Sequence, residues 1–143
     1  MTTGAVTQQT IGGSDVLELA ETPIPSPGPG EVLVRMRATG MNPADWKVRI
    51  GKVDFFGPPP FVLDHEFSGA VEGTGEGVTR FAVGEDVYGW TVPPQGSDAD
   101  HVVVTIAPKP RTLDHVGSAT LPISGFTACQ ALISPMYSPA SGY

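Results

Sequence analysis

One cysteine, Cys129, occurs in the sequence. An internal disulfide is therefore excluded, as is any zinc knuckle built from several thiolates, and a reducing compartment suits the chain. Positive charge is also scarce: eight Lys and Arg stand against fifteen Asp and Glu, a formal net charge of −7. That balance repels phosphate backbones and offers no basic stripe for counterion release, so no nucleic acid partner is expected. No apolar run reaches the ~18 residues of a membrane span, and the opening "MTTGAVTQQTIGG" lacks the basic and apolar regions of a secretion signal. The expectation is a cytoplasmic chain with no membrane partner. What the sequence has in quantity is turn residues. Its 143 residues include 18 Gly and 15 Pro, set between apolar runs of strand length, and 40% apolar content is enough for one core.

The runs Ala5–Thr10 and Val16–Thr22 flank Gly12-Gly13-Ser14-Asp15, which predicts a hairpin. The prolines of "PIPSPGPGE" fix φ and withhold donors, so this stretch should run extended over the surface. Glu31–Met41 alternates Val32, Val34 and Met36 with Leu33, Arg35 and Arg37, the period of two of a half-buried strand. Asn42-Pro43 then supplies the cap and first turn of a short helix, with Gly51 at its far end and Trp46 and Ile50 on one buried face. Phe67–Gly75, Asp86–Trp90 and Val102–Ile106 are further strands. Leu121, Gly125, Ala128 and Leu132 fall on one helical face, and the Ser-Pro steps after Ile133 should end that helix. The fold class expected is mainly β, with a small helix and a helical tail.

Three segments, "GPGEVLVRMRATGMNPADWKVRIG", "LDHEFSGAVEGTGEGVTRFAVGEDVYG" and "ATLPISGFTACQAL", resemble in order and spacing the medium-chain dehydrogenase/reductase superfamily. Within it they are most similar to the zinc-free quinone oxidoreductase-like branch. The resemblance implies a GroES-like, partly open β-barrel with short helices over residues 1–122, acting as catalytic and substrate domain. It also implies a C-terminal helical tail over residues 123–143, which in relatives leads into a Rossmann domain not expected in this chain.

Zinc-using members hold their catalytic metal with a Cys, a His and a second Cys, and the resemblance puts Asn42, His65 and Ser124 at those places. An amide and a hydroxyl replace two thiolates poorly around Zn²⁺, so no metal is expected, and His65 reads as a histidine hydrogen-bonded in or beside the barrel. The segment "WTVPPQGSDADH", where such relatives place a second, four-cysteine zinc, has no cysteine. The resemblance assigns catalysis to Asn42 and Asp45 and cofactor contact to Asn42, Ser124 and Thr127, while Trp46, His65 and Tyr88 read as a substrate cleft. Ordinary barrel core is the competing reading for Trp46 and Tyr88, and close helix packing for Ser124 and Thr127. His101 and His115 read as surface residues. Asp64 stands where glycine is usual, in a turn that calls for positive φ, and Asp64, Glu66 and Asp86 read as a solvated acidic edge.

Hydride transfer needs a bound nicotinamide, and "GTGEG" follows a strand without opening a helix, so it is no dinucleotide fingerprint. Complete relatives use NADPH; no cofactor is expected for this chain alone. One expectation is a truncated NAD(P)H-dependent oxidoreductase, inactive by itself or completed by another chain. A second is a stand-alone module that binds or converts a small hydrophobic molecule without nicotinamide. A third is self-association as a homodimer through an exposed interdomain face.

Overall fold

The computed structural model describes residues 1–54, 56–93, 95–104 and 106–133. Its N-terminal hairpin forms as the glycines predict: β1 (Thr2–Gln8) and β2 (Leu17–Pro23) pair antiparallel, from Thr2 opposite Pro23 to Gln8 opposite Leu17. The proline-rich stretch has no regular structure, and β3 (Val32–Gly40) follows it with Val32 and Val34 buried and Arg35 and Arg37 exposed. Asn42 caps α1 (Pro43–Arg49), and Gly51 takes φ of 76° just past its end, as the sequence implied.

The buried face of α1 differs from expectation. Asp45 and Val48 are its buried residues, whereas Trp46 is 45% exposed. The helix packs through Val48 against Phe56, Phe61 and Leu63, which turns Trp46 outward, where Lys52 Nζ lies 5.5 Å from its ring centre.

β4 (Phe61–Val62) is too short to show a period, and it pairs with β1. β5 (Glu66–Thr74) and β6 (Asp86–Trp90) follow as predicted. The strand expected at Val102–Ile106 is β7 (His101–Val104), and a separate two-residue strand, β8 (Ala107–Pro108), follows it. α2 (His115–Ala119) was not foreseen, although Asp114 caps it by accepting the Gly117 N–H at 2.7 Å. α3 (Pro122–Ile133) is the start of the predicted tail; the Ser-Pro steps lie outside the described residues.

The strands form two sheets, ordered β2-β1-β4 and β7-β3-β5-β6-β8. The outer strands β7 and β8 do not pair with each other, so the barrel stays open, in keeping with the expected architecture. Val32, Val34, Phe67, Val71, Val87, Val102 and Val104 fill the larger sheet's buried side. α3 leans on β6 through Phe126, whose ring centre is 5.0 Å from that of Trp90, while Leu132 and Ile133 stay 68% and 80% exposed. Leu121, Gly125, Ala128 and Leu132, which share one helical face, are all exposed. Among the described residues no helix is long and apolar enough to cross a membrane.

Candidate functional site

Gly40 ends β3 directly opposite Glu66, which begins β5. Because Gly40 has no side chain, Glu66 lies across it; a Cβ there would sit 2.6 Å from Glu66 Cγ. Glu66 is 3% exposed, and both its carboxylate oxygens are engaged. Asn42 Nδ2 donates to Oε1 at 2.8 Å, and the Ile123 N–H donates to Oε2 at 2.9 Å. The second bond satisfies a first-turn amide of α3 with an anion, the favourable charge at that end of a helix. The Glu66 carbonyl accepts from Thr39 Oγ1 at 3.0 Å and from Ser97 Oγ at 3.2 Å. One residue thus joins β3, the cap of α1, the 95–98 loop and α3.

Asp64 adopts φ of 62°, the left-handed turn that the motif implied. Its carbonyl accepts the Ser97 N–H at 3.0 Å, and the Leu63 carbonyl accepts the Asp98 N–H at 3.1 Å, which brings the loop against the Asp64 side chain. Burial, then the nearby Asp45 and Asp98 carboxylates, then a hydrogen bond with Asp45 and the charge of Glu66, push the Asp64 carboxyl up to about 7. Burial also raises Asp98. Asp45 accepts the Asn42 N–H on Oδ2, and its Oδ1 is buried with no N–H or hydroxyl directed at it. A hydrogen bond between the Asp64 and Asp45 carboxyl groups requires a proton on one of them, which is part of what raises Asp64.

The expected acidic edge is therefore corrected twice. Asp64 and Glu66 are buried rather than solvated, and Asp86 stands apart beside His115 Nε2 at 3.3 Å and Lys109 Nζ at 3.9 Å. The antiparallel register explains the separation, since Glu66 faces Trp90 while Asp86 faces Ala70, at the other end of the paired segment.

The remaining candidates disperse. His65 is half-buried and stacks on Phe56 with ring centres 4.7 Å apart, a contact between rings where a hydrogen bond was expected. Tyr88 lines a cavity of about 550 Å³ beneath α3 with Trp90, Val92, Ile106, Leu121 and Phe126, and neither Trp46 nor His65 reaches it. Ser124 and Thr127 are exposed on α3, so close packing does not account for them. His101 and His115 are not free surface residues. His101 pairs with Glu72 and is hydrogen-bonded to Thr3 Oγ1 at 2.6 Å, and His115 is hydrogen-bonded to Ser68 Oγ at 2.7 Å. Each partner comes from a distant strand, which no local pattern announces.

Zinc does not fit at Asn42, His65 and Ser124. The Asn42 amide is committed to Glu66 and Ser124 offers an exposed hydroxyl, so His65 is the one of the three with a good ligand atom to spare. Among the described residues no three His, Cys, Asp or Glu side chains group as metal ligands would.

Residues 28–126 match the protein-family model of the alcohol dehydrogenase GroES-like domain. The chloroplast envelope quinone oxidoreductase homolog of Arabidopsis thaliana is 33% identical over 130 residues, covering 87% of this chain and 40% of that protein. The quinone oxidoreductase of Rattus norvegicus is 33% identical over 128 residues, covering 85% and 38%. An alcohol dehydrogenase superfamily protein from Novosphingobium aromaticivorans superposes with a TM-score of 0.86 at 32% identity, over 94% of this chain and 42% of that one. Mycobacterial Rv1454c complexed with NADPH gives 0.82 at 29% identity, over 93% and 40%. The chain spans about 40% of the length of these curated relatives. By sequence and by fold alike, it belongs to the alcohol dehydrogenase GroES-like domain family, within the medium-chain dehydrogenase/reductase superfamily.

Proposed function

We propose that this chain forms the substrate- and nicotinamide-facing part of a zinc-independent, NADPH-dependent reductase of quinones or conjugated enones. The observation that carries this reading is the Asn42 side chain, held by a buried carboxylate that also anchors α3, the helix that presents Ser124 and Thr127. When bound, the cofactor supplies hydride; what remains for the protein is orientation and polarisation. Asn42 Nδ2 has a second N–H, free of Glu66, with which to donate to an oxygen gaining charge, and Oδ1 can accept from a carboxamide. The exposed hydroxyls of Ser124 and Thr127 on α3 offer further donors. Asp45 acts through Asn42, whose backbone N–H it holds at the start of α1. The pyrophosphate would rest on a nucleotide-binding domain of the kind complete relatives carry, in a longer chain or a separate one.

Adding NADPH to the ¹⁵N-labelled chain should shift the Asn42 side-chain amide and the Ser124 and Thr127 backbone amides. A dissociation constant of about 1 mM is expected, because one wall of the site supplies only part of the binding energy. Shifts that avoid these three residues would overturn the reading, as would sustained NADPH oxidation by this chain unaided.

The cavity beneath α3 favours a second reading, since about 550 Å³ lined by Tyr88, Trp90 and Phe126 has the size and chemistry of a small-molecule pocket. The chain would then hold a flat hydrophobic molecule without nicotinamide. In the same titration, 1,4-naphthoquinone would perturb Trp90 and Phe126 while NADPH perturbed nothing.

A further inference from the structure

We propose that Glu66 is a positioning residue that ties the orientation of the Asn42 amide to the docking of α3, so that a change at either is felt at the other. The proposal rests on the reading that Asn42 faces the nicotinamide, but its test does not require that reading to hold.

The coupling follows from one rigid group serving two donors. The carboxylate is planar, and its oxygens accept from Asn42 Nδ2 at 2.8 Å and from the Ile123 N–H at 2.9 Å. At 3% exposure, water is poorly placed to replace a donor that leaves. A buried anionic oxygen without its partner costs more than the bond contributed, so each donor favours the geometry that keeps the other. The carboxylate also has little room to move independently. Below it, Gly40 leaves space for the side chain and nothing larger, since a Cβ would lie 2.6 Å from Cγ and 2.8 Å from Oε1. Behind it, Thr39 Oγ1 and Ser97 Oγ hold the Glu66 carbonyl and lie 2.7 Å from each other. Ile123 directly precedes Ser124, so displacing the start of α3 moves Ser124 and pulls on Oε2. Through the planar group that displacement reaches Oε1 and Asn42.

Hydrogen exchange on the ¹⁵N-labelled full chain, without cofactor, reads the coupling directly. Asn42→Ser keeps a good N-cap but removes the Nδ2 donor. Exchange at the Ile123 amide should accelerate about tenfold, a change of about 1.4 kcal/mol, while the core amides of Val34 and Val71 stay unchanged. Glu66→Gln presents a donor on one of its two terminal atoms and cannot accept from both partners. In that variant the Asn42 side-chain amide should lose its distinct chemical shift and Ile123 its protection, together. If Asn42→Ser leaves Ile123 exchange as it was while Glu66→Gln accelerates it, Glu66 only anchors the helix and the proposal is wrong. Equal acceleration at Val34, Val71 and Ile123 would mean general loosening and would also overturn it. A failed NADPH titration bears on the proposed function and leaves this result standing.

Discussion

Asp64→Asn should stabilise the protein at pH 8 and do so less than half as much at pH 5. In the folded state the Asp64 carboxyl is raised to about 7, by burial first and then by Asp45 and Asp98. The folded protein therefore binds a proton that the unfolded chain releases near pH 4, and this group's contribution to stability declines as pH rises from about 4 to about 7. Above that window Asp64 is ionised in a pocket that already holds Asp45, with Asp98 and Glu66 close by. Asparagine removes that charge, tolerates the φ of 62°, and offers an N–H to Asp45 Oδ1, the buried oxygen without a donor. The full rise would correspond to roughly 4 kcal/mol, and relaxation of the site reduces the gain to about 2 kcal/mol. Urea unfolding at both pH values measures it. A variant no more stable than the parent at pH 8 would mean that Asp64 ionises at little cost and that the acidic cluster is effectively solvated. Asp98, also raised by burial, leaves some of the slope in place.

Gly40→Ala should destabilise the protein by about 2–3 kcal/mol and release the start of α3. The new Cβ would meet Glu66 Cγ at 2.6 Å and the Ala119 carbonyl oxygen at 2.7 Å. Neither obstacle yields easily. Ala119 is 1% exposed at the end of α2, and the Glu66 side chain is tied at both oxygens. Moving Glu66 aside would strand its buried charge, so loss of protection at Ile123 should accompany the lower denaturation midpoint. A drop below about 0.5 kcal/mol with Ile123 undisturbed would show that α2 and Glu66 shift freely and that the close approach at Gly40 is incidental.

Both predictions concern contacts that the sequence does not announce. The strand at Val32–Gly40 is legible because alternation with a period of two records which side is buried, and Asn42-Pro43 with Gly51 marks a helix because capping is local chemistry. The left-handed turn at Asp64 was implied by the family resemblance, which usually has glycine at this place. Trp46 shows the limit of such reasoning. Its spacing from Ile50 suggested a buried face, but α1 meets its neighbours through Val48, which is 2% exposed, and Trp46 is left to Lys47 and Lys52. α2 escaped because five residues give no usable period.

By itself, the sequence determined a turn-rich, mainly β chain with far more acidic than basic side chains, properties that depend on composition and on neighbours along the chain. The open barrel, and the zinc-ligand places now held by Asn42 and Ser124, were what the family resemblance implied. Tertiary structure alone decided that Glu66 is a buried junction, that Asp64 shares its pocket with Asp45 and Asp98, and that Trp46, His65 and Tyr88 do not share one cavity. Hydrogen bonding and desolvation act through space. A carboxylate's role depends on which distant donors and acids the fold brings to it, and periodicity says which way a side chain points without saying what it will meet.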